Sequence, residues 1–155
     1  MPLGEEHIKQ AQHNLDFIGT FYESYLYNDW AVTVSFYACV HIIENSIYSG
    51  GHLLYQGLPI KILHSDELRA ALQKTKLDLK ETSPHIIRNL LVEENFGEIS
   101  DFYLLLYSES RNARYKRYQF DKNDVNLVVK PALSEIVNWS NKKFKTAVLC
   151  SSNSS

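Results

Sequence analysis

Proline and glycine are scarce. Four prolines and six glycines punctuate 155 residues, so long uninterrupted elements are expected. Cysteine is scarcer still. Cys39 lies inside an apolar helical pattern and Cys150 in a serine-rich tail. They form no CxxC pair and no disulfide framework, which fits a reducing compartment. No stretch approaches the ~18 consecutive apolar residues that a membrane span needs. The opening MPLGEEHIKQ lacks the basic and apolar regions of a signal peptide, so a cytoplasmic location without membrane contact is expected. An excess of one charge is missing too. The formal net charge is -2, which gives no global attraction to nucleic acid; any such contact has to be local. There is no Gly-rich phosphate loop, no GxSxG elbow and no zinc-type spacing, so neither a metal nor a cofactor is expected.

What remains is an ordinary globular composition, 45% hydrophobic and 22% charged, on a chain long enough for one domain with a core. The hydrophobic period is helical throughout, with no sustained strand alternation and no repeat. Ile8, Ala11, Leu15, Ile18 and Tyr22 mark a first helix over 4–26. A second, over 29–49, carries Trp30, Val34, Tyr37 and His41 on one face and Val32, Phe36, Val40, Ile43 and Ile47 on another. Such a helix is buried on most sides. Gly50 and Gly51 stop it. Gly57 and Pro59 argue against regular structure over 50–64. Ser65 then caps a short helix that fades near Lys80–Ser83.

Ser83-Pro84 restarts the helical pattern, which runs to about Arg114 with an interruption near Asn95–Gly97. A last helix over 124–145 is kinked by Pro131. The expected fold is all-α, an antiparallel bundle of four to five helices. It is read as one domain over 1–148 with a flexible tail over 149–155.

The stretch with chemical character is SDFYLLLYSESRNARYKRY, from Ser100 to Tyr118. Its first half is apolar and aromatic. Its second half gathers Arg111, Arg114, Lys116 and Arg117, interleaved with Tyr115 and Tyr118. Guanidinium forks match phosphate oxygens, and tyrosines stack on the splayed bases of single-stranded RNA. Arg111, Arg114, Tyr115, Arg117 and Tyr118 are therefore the candidate RNA- or phosphate-binding residues. The plainer alternative is a basic helix C-terminus that answers the macrodipole. His41 shares a helix face with Tyr37 and Glu44 and is either a general base or a satisfied core histidine. The remaining histidines are scattered: His64 lies five residues before Arg69, and His85 three before Arg88.

Three segments together carry a family resemblance. Trp30 with Ser35-Phe-Tyr-Ala-Cys-Val-His41, then His64 with Arg69, then Tyr107-Ser-Glu-Ser-Arg-Asn-Ala-Arg-Tyr115 resemble a HEPN domain over about residues 10–145. The resemblance implies a helical bundle, a homodimer with its cleft beside the two-fold axis, and a defence, toxin–antitoxin or RNA-processing setting. It also implies descent from metal-independent RNases, in which four to six residues separate an arginine from a following histidine. That histidine is missing here. Lys116 stands five residues after Arg111 and Gln119 five after Arg114.

The first reading is accordingly an RNA- or nucleotide-binding protein with a degenerate RNase motif. The alternatives are an active endoribonuclease that borrows His41 or His64 beside Arg114, or a structural module with a protein partner. In the last case Arg114 would be locked to Glu98 or Asp101. Whether the chain is an enzyme stays open at this point.

Overall fold

A computed structural model describes residues 3–75, 83–116 and 119–150. These form six α-helices and one two-stranded antiparallel hairpin, so the chain is mostly helical. Among the described residues no helix is long and apolar enough to cross a membrane.

Helix α1 spans Gly4–Gly19. Glu6 closes its first turn, its carboxylate accepting the Leu3 N–H at 2.7 Å. The helix ends earlier than the apolar period alone predicts. Gly19 weakens it, and the Thr20 hydroxyl takes the Phe17 carbonyl at 2.7 Å. A single 3₁₀ turn over Tyr22–Ser24 follows, and Tyr25 adopts a left-handed conformation with φ 54°.

Helix α2, Asn28–Gly50, is the central element and packs against α1, α5 and α6. Phe36, Ile42, Ile43 and Ile47 are fully buried along it. The stripe that begins at Trp30 is different. Trp30 is 58% exposed, and Val34, Tyr37 and His41 are only partly buried. That open side of α2 borders both clusters described below. Gly4 sets how closely α1 approaches it: a Cβ there would stand 2.6 Å from the Tyr48 ring and 2.9 Å from the Asn45 side chain. Only glycine allows this approach, which seats His7 against α2.

The connection after α2 is more regular than its glycine and proline content implies. Strands β1 (Leu53–Tyr55) and β2 (Leu58–Ile60) pair around Gln56 and Gly57, both at positive φ. This is the two-residue turn that matches strand twist. Pro59 sits opposite Leu54, one step beyond the pair closing the turn. At that step the N–H points away from the partner strand, so proline removes no ladder bond. The Glu94 carboxylate accepts the N–H groups of Gln56 and Gly57 at 2.9 and 2.6 Å, and so pins the turn.

Helix α3, Ser65–Lys74, starts one residue off the sequence expectation. His64 is the cap, its Nδ1 accepting the Asp66 N–H at 3.1 Å, and Ser65 turns inward as the first helical residue. The expected fading of this helix near Lys80 falls outside the described residues. Helix α4, Pro84–Asn95, is capped by Ser83, whose Oγ accepts the Ile86 N–H at 3.3 Å. Buried Phe96 and Ile99 turn the chain into α5, Ser100–Tyr115.

Asp121 and Asp124 then cap each other reciprocally at 2.8 and 2.9 Å. A π-helical turn over Asp124–Val129 leads into α6, Lys130–Phe144. The wide turn ends just before Pro131, whose missing N–H and bulky ring would otherwise break a tight ladder. After Lys145, Asn141 and Gln12 hold the backbone of Val148 and Leu149 against α6 and α1, both at 2.8 Å. Cys39 and Cys150 are both free thiols.

Candidate functional site

Two polar clusters flank the open stripe of α2. The first is a pocket of about 420 Å³ between the start of α4 and the second half of α5. Ser83, His85, Tyr107, Arg111, Arg114 and Tyr115 line it. Helical spacing on α5 places Tyr107, Arg111 and Arg114 along one edge, because residues three and four apart are neighbours. Arg111 donates to the Tyr107 hydroxyl at 3.4 Å. Arg114 donates through Nε to the Ser110 carbonyl at 3.2 Å and through Nη1 to the Tyr37 hydroxyl at 3.0 Å. Its guanidinium also lies 5.7 and 5.3 Å from the Tyr37 and Tyr115 ring centres.

Neither arginine meets a carboxylate among the described residues; Glu98 pairs with Lys143 at 3.2 Å instead. A guanidinium carries five N–H donors, and those of Arg114 that Tyr37 and Ser110 leave over can take an anion. Tyr115, which lines the pocket beside Arg114, is 67% exposed. Arg117 and Tyr118 lie outside the described residues.

His85 enters this pocket from the first turn of α4. Its ring centre is 5.8 Å from those of Tyr107 and Phe36, and its Nδ1 is buried without a hydrogen-bond partner among the described residues. Burial holds its pKa below the ordinary histidine value, and the positive charges of Arg88, Arg114 and Arg111 push the same way. The imidazole is therefore neutral at pH 7, with a lone pair to accept a proton.

The second cluster is deeper. His41 and Glu44 of α2 meet His7 of α1, His64 and Ser65 at the head of α3, and Arg88 of α4. Glu44 is 1% exposed. Its Oε1 accepts from Arg88 Nε at 2.7 Å and from the Ser65 hydroxyl; its Oε2 accepts the Ser65 N–H at 3.1 Å. Burial alone would raise the Glu44 pKa, but Arg88 and Ser65 overcome it and hold the carboxyl below its usual value. Burial raises the Arg88 neighbour Tyr103 well above an ordinary phenol. His7 Nδ1 and His41 Nδ1 are 3.0 Å apart, so one of them carries the shared hydrogen. Burial, with His7 and Arg88 nearby, lowers His41 to about 4; burial also lowers His7.

The candidates named from the sequence thus divide. Arg111, Arg114 and Tyr115 come together in one pocket. His41 and His64 gather around Glu44, and the histidine that joins the arginines is His85. It stands 26 residues before Arg111 on another helix, so no local spacing connects the two. The cue available in the sequence was weaker: Ser83-Pro84 starts a helix, and a histidine in that first turn faces whatever packs over its end. Tyr37 and His41, one turn apart on α2, reach the two clusters separately.

Compared with protein-family models, with curated proteins and with solved structures, the chain matches none.

Proposed function

We propose that this is a HEPN-like RNA- or nucleotide-binding protein whose phosphate site is the pocket between α4 and α5. One observation carries the reading: Arg111 and Arg114 share a pocket with a neutral histidine and exposed tyrosine, and no carboxylate among the described residues neutralises them. Arg114 is oriented by Tyr37 and the Ser110 carbonyl, so its fork is held in place before a ligand arrives. Phosphate oxygens would take the remaining guanidinium donors, and Tyr115 would stack on a base. Cytoplasmic homodimers acting in defence, toxin–antitoxin or RNA processing belong to the same reading, through the family resemblance.

The test is equilibrium binding of a labelled single-stranded RNA across a salt series. Arg111→Ala and Arg114→Ala should each weaken binding and reduce the salt slope by about one. Binding unchanged in both variants would refute the assignment.

His85 supports a second reading, an endoribonuclease. A neutral imidazole beside two guanidiniums could take the ribose 2′-hydroxyl proton while the 2′-oxygen attacks phosphorus. The P–O5′ bond would break, the leaving 5′-oxygen would take a proton from solvent, and the arginines would offset charge on the phosphoryl oxygens. In that case His85→Ala loses cleavage but keeps binding, whereas His41→Ala retains cleavage. An RNA left intact by the wild type removes this second reading and leaves the first.

A further inference from the structure

The deep cluster behind α2 serves neither reading above, and its geometry points to a further site. We propose that His7, Glu44 and His64 form a binding site for a divalent transition-metal ion of the zinc type. One donor atom from each lies within 4.8 Å of the other two. His64 Nε2 and Glu44 Oε2 stand 3.5 Å apart. Two donors on a tetrahedral ion with bonds of about 2.0–2.1 Å are separated by about 3.4 Å, so this pair already has the required spacing. The His7 donor lies within 4.8 Å of both, and its ring, now stacked on His64 with centres 5.2 Å apart, closes the set by turning toward that pair. Two imidazoles and one carboxylate are the ligand types zinc prefers.

Three details distinguish the cluster from an ordinary polar core. First, His7 is 4% exposed and its Nε2 has no hydrogen-bond partner among the described residues. A buried polar atom of this kind is rare unless something else engages it. Second, each histidine has a partner for its far nitrogen. His7 Nδ1 faces His41 Nδ1 at 3.0 Å. His64 Nδ1 lies 3.5 Å from Asp66 Oδ2. In the tautomer that caps α3, His64 Nδ1 accepts a hydrogen bond and Nε2 carries the hydrogen. The other tautomer donates from Nδ1 to Asp66 and frees the Nε2 lone pair toward Glu44. Metal-bound histidines commonly have such outer carboxylate or acceptor partners. Third, Arg88 and the Ser65 hydroxyl occupy Glu44 Oε1, while Oε2 accepts the Ser65 N–H at 3.1 Å and keeps a second lone pair to give.

Arg88 also shapes what the ion would carry. With Glu44 balancing Arg88, a dication leaves the cluster with surplus positive charge. The open fourth position would then take an anionic oxygen: hydroxide, carboxylate or phosphate.

The site is independent of the arginine pocket, and its test does not use RNA. Metal-free protein is titrated with Co²⁺, then with Zn²⁺. One equivalent of Co²⁺ should bind with the strong visible absorption of a four-coordinate site, and Zn²⁺ should displace it. His7→Ala and His64→Ala should weaken binding by about 10-fold or more, while His13→Ala, at an exposed position of α1, should not. A readout on the wild type guards against misfolded variants: Co²⁺ should broaden the imidazole NMR signals of His7 and His64 and leave those of His13 and His52 sharp. No binding at equimolar cobalt, or broadening confined to His13 and His52, would overturn the proposal.

Discussion

Glu44 and Arg88 are the residues on which the interior most depends. Both are buried, and each satisfies the other. Removing one partner strands a charge in a low-dielectric setting, which typically costs about 3–5 kcal/mol. Arg88→Ala or Glu44→Ala should therefore lower the unfolding free energy measured by urea denaturation by an amount in that range. A shift under about 1 kcal/mol would mean that water reaches the cluster. The histidines around them set the acid response. Burial lowers the folded pKa of His41 to about 4, below the ordinary histidine value of 6.5, and lowers His7 and His85 too. Between those values the unfolded chain binds more protons than the folded one, so stability falls as pH drops from about 6.5 toward 4. Glu44, also lowered, adds loss in the same direction at more acid pH. Thermal melts of metal-free protein should show a falling midpoint across this window, and His41→Phe should flatten the decline. A flat profile in the wild type would contradict the buried, neutral state of these rings.

At the scale of elements, legibility followed the range over which information is needed. The start of α4 at Ser83-Pro84, the interruption after Asn95 and the glycine stop of α2 were all readable, because a cap or break is written in a few adjacent residues. The hairpin was not. Its Gln56-Gly57 turn and Pro59 read as irregular, and what rescues them is a long-range anchor, the Glu94 carboxylate on α4. Gly57 tests that account. Its φ is +74° and a Cβ there would meet nothing within 4 Å. Gly57→Val should cost about 1–2 kcal/mol through backbone strain alone, measured by chemical denaturation. A neutral substitution would show that the turn relaxes at no cost. The candidate site divided along the same line. Arg111, Arg114 and Tyr115 lie within one turn or so of each other on α5 and were legible as a group. His85 joins them only through the packing of α4 over α5, which no spacing in the sequence encodes.

For the molecule as a whole, α2 acts as a partition. Its apolar faces hold α1, α5 and α6, and its partly open stripe contributes Tyr37 to the arginine pocket and His41 to the histidine cluster. The proposed homodimer is tested by sedimentation at micromolar concentration: a single species of twice the 17.9 kDa chain mass is expected, and a monomer would remove the shared cleft from the proposal. The most direct measurement of the central claim is the NMR titration of the His85 imidazole with and without a mononucleotide. In the free protein its pKa should lie below 6.5, held down by burial and by three arginines. A phosphate seated against Arg111 and Arg114 brings negative charge beside the ring, so the His85 pKa should rise on binding, and Arg114→Ala should abolish the rise. A His85 titration that saturating nucleotide leaves unmoved would contradict the account.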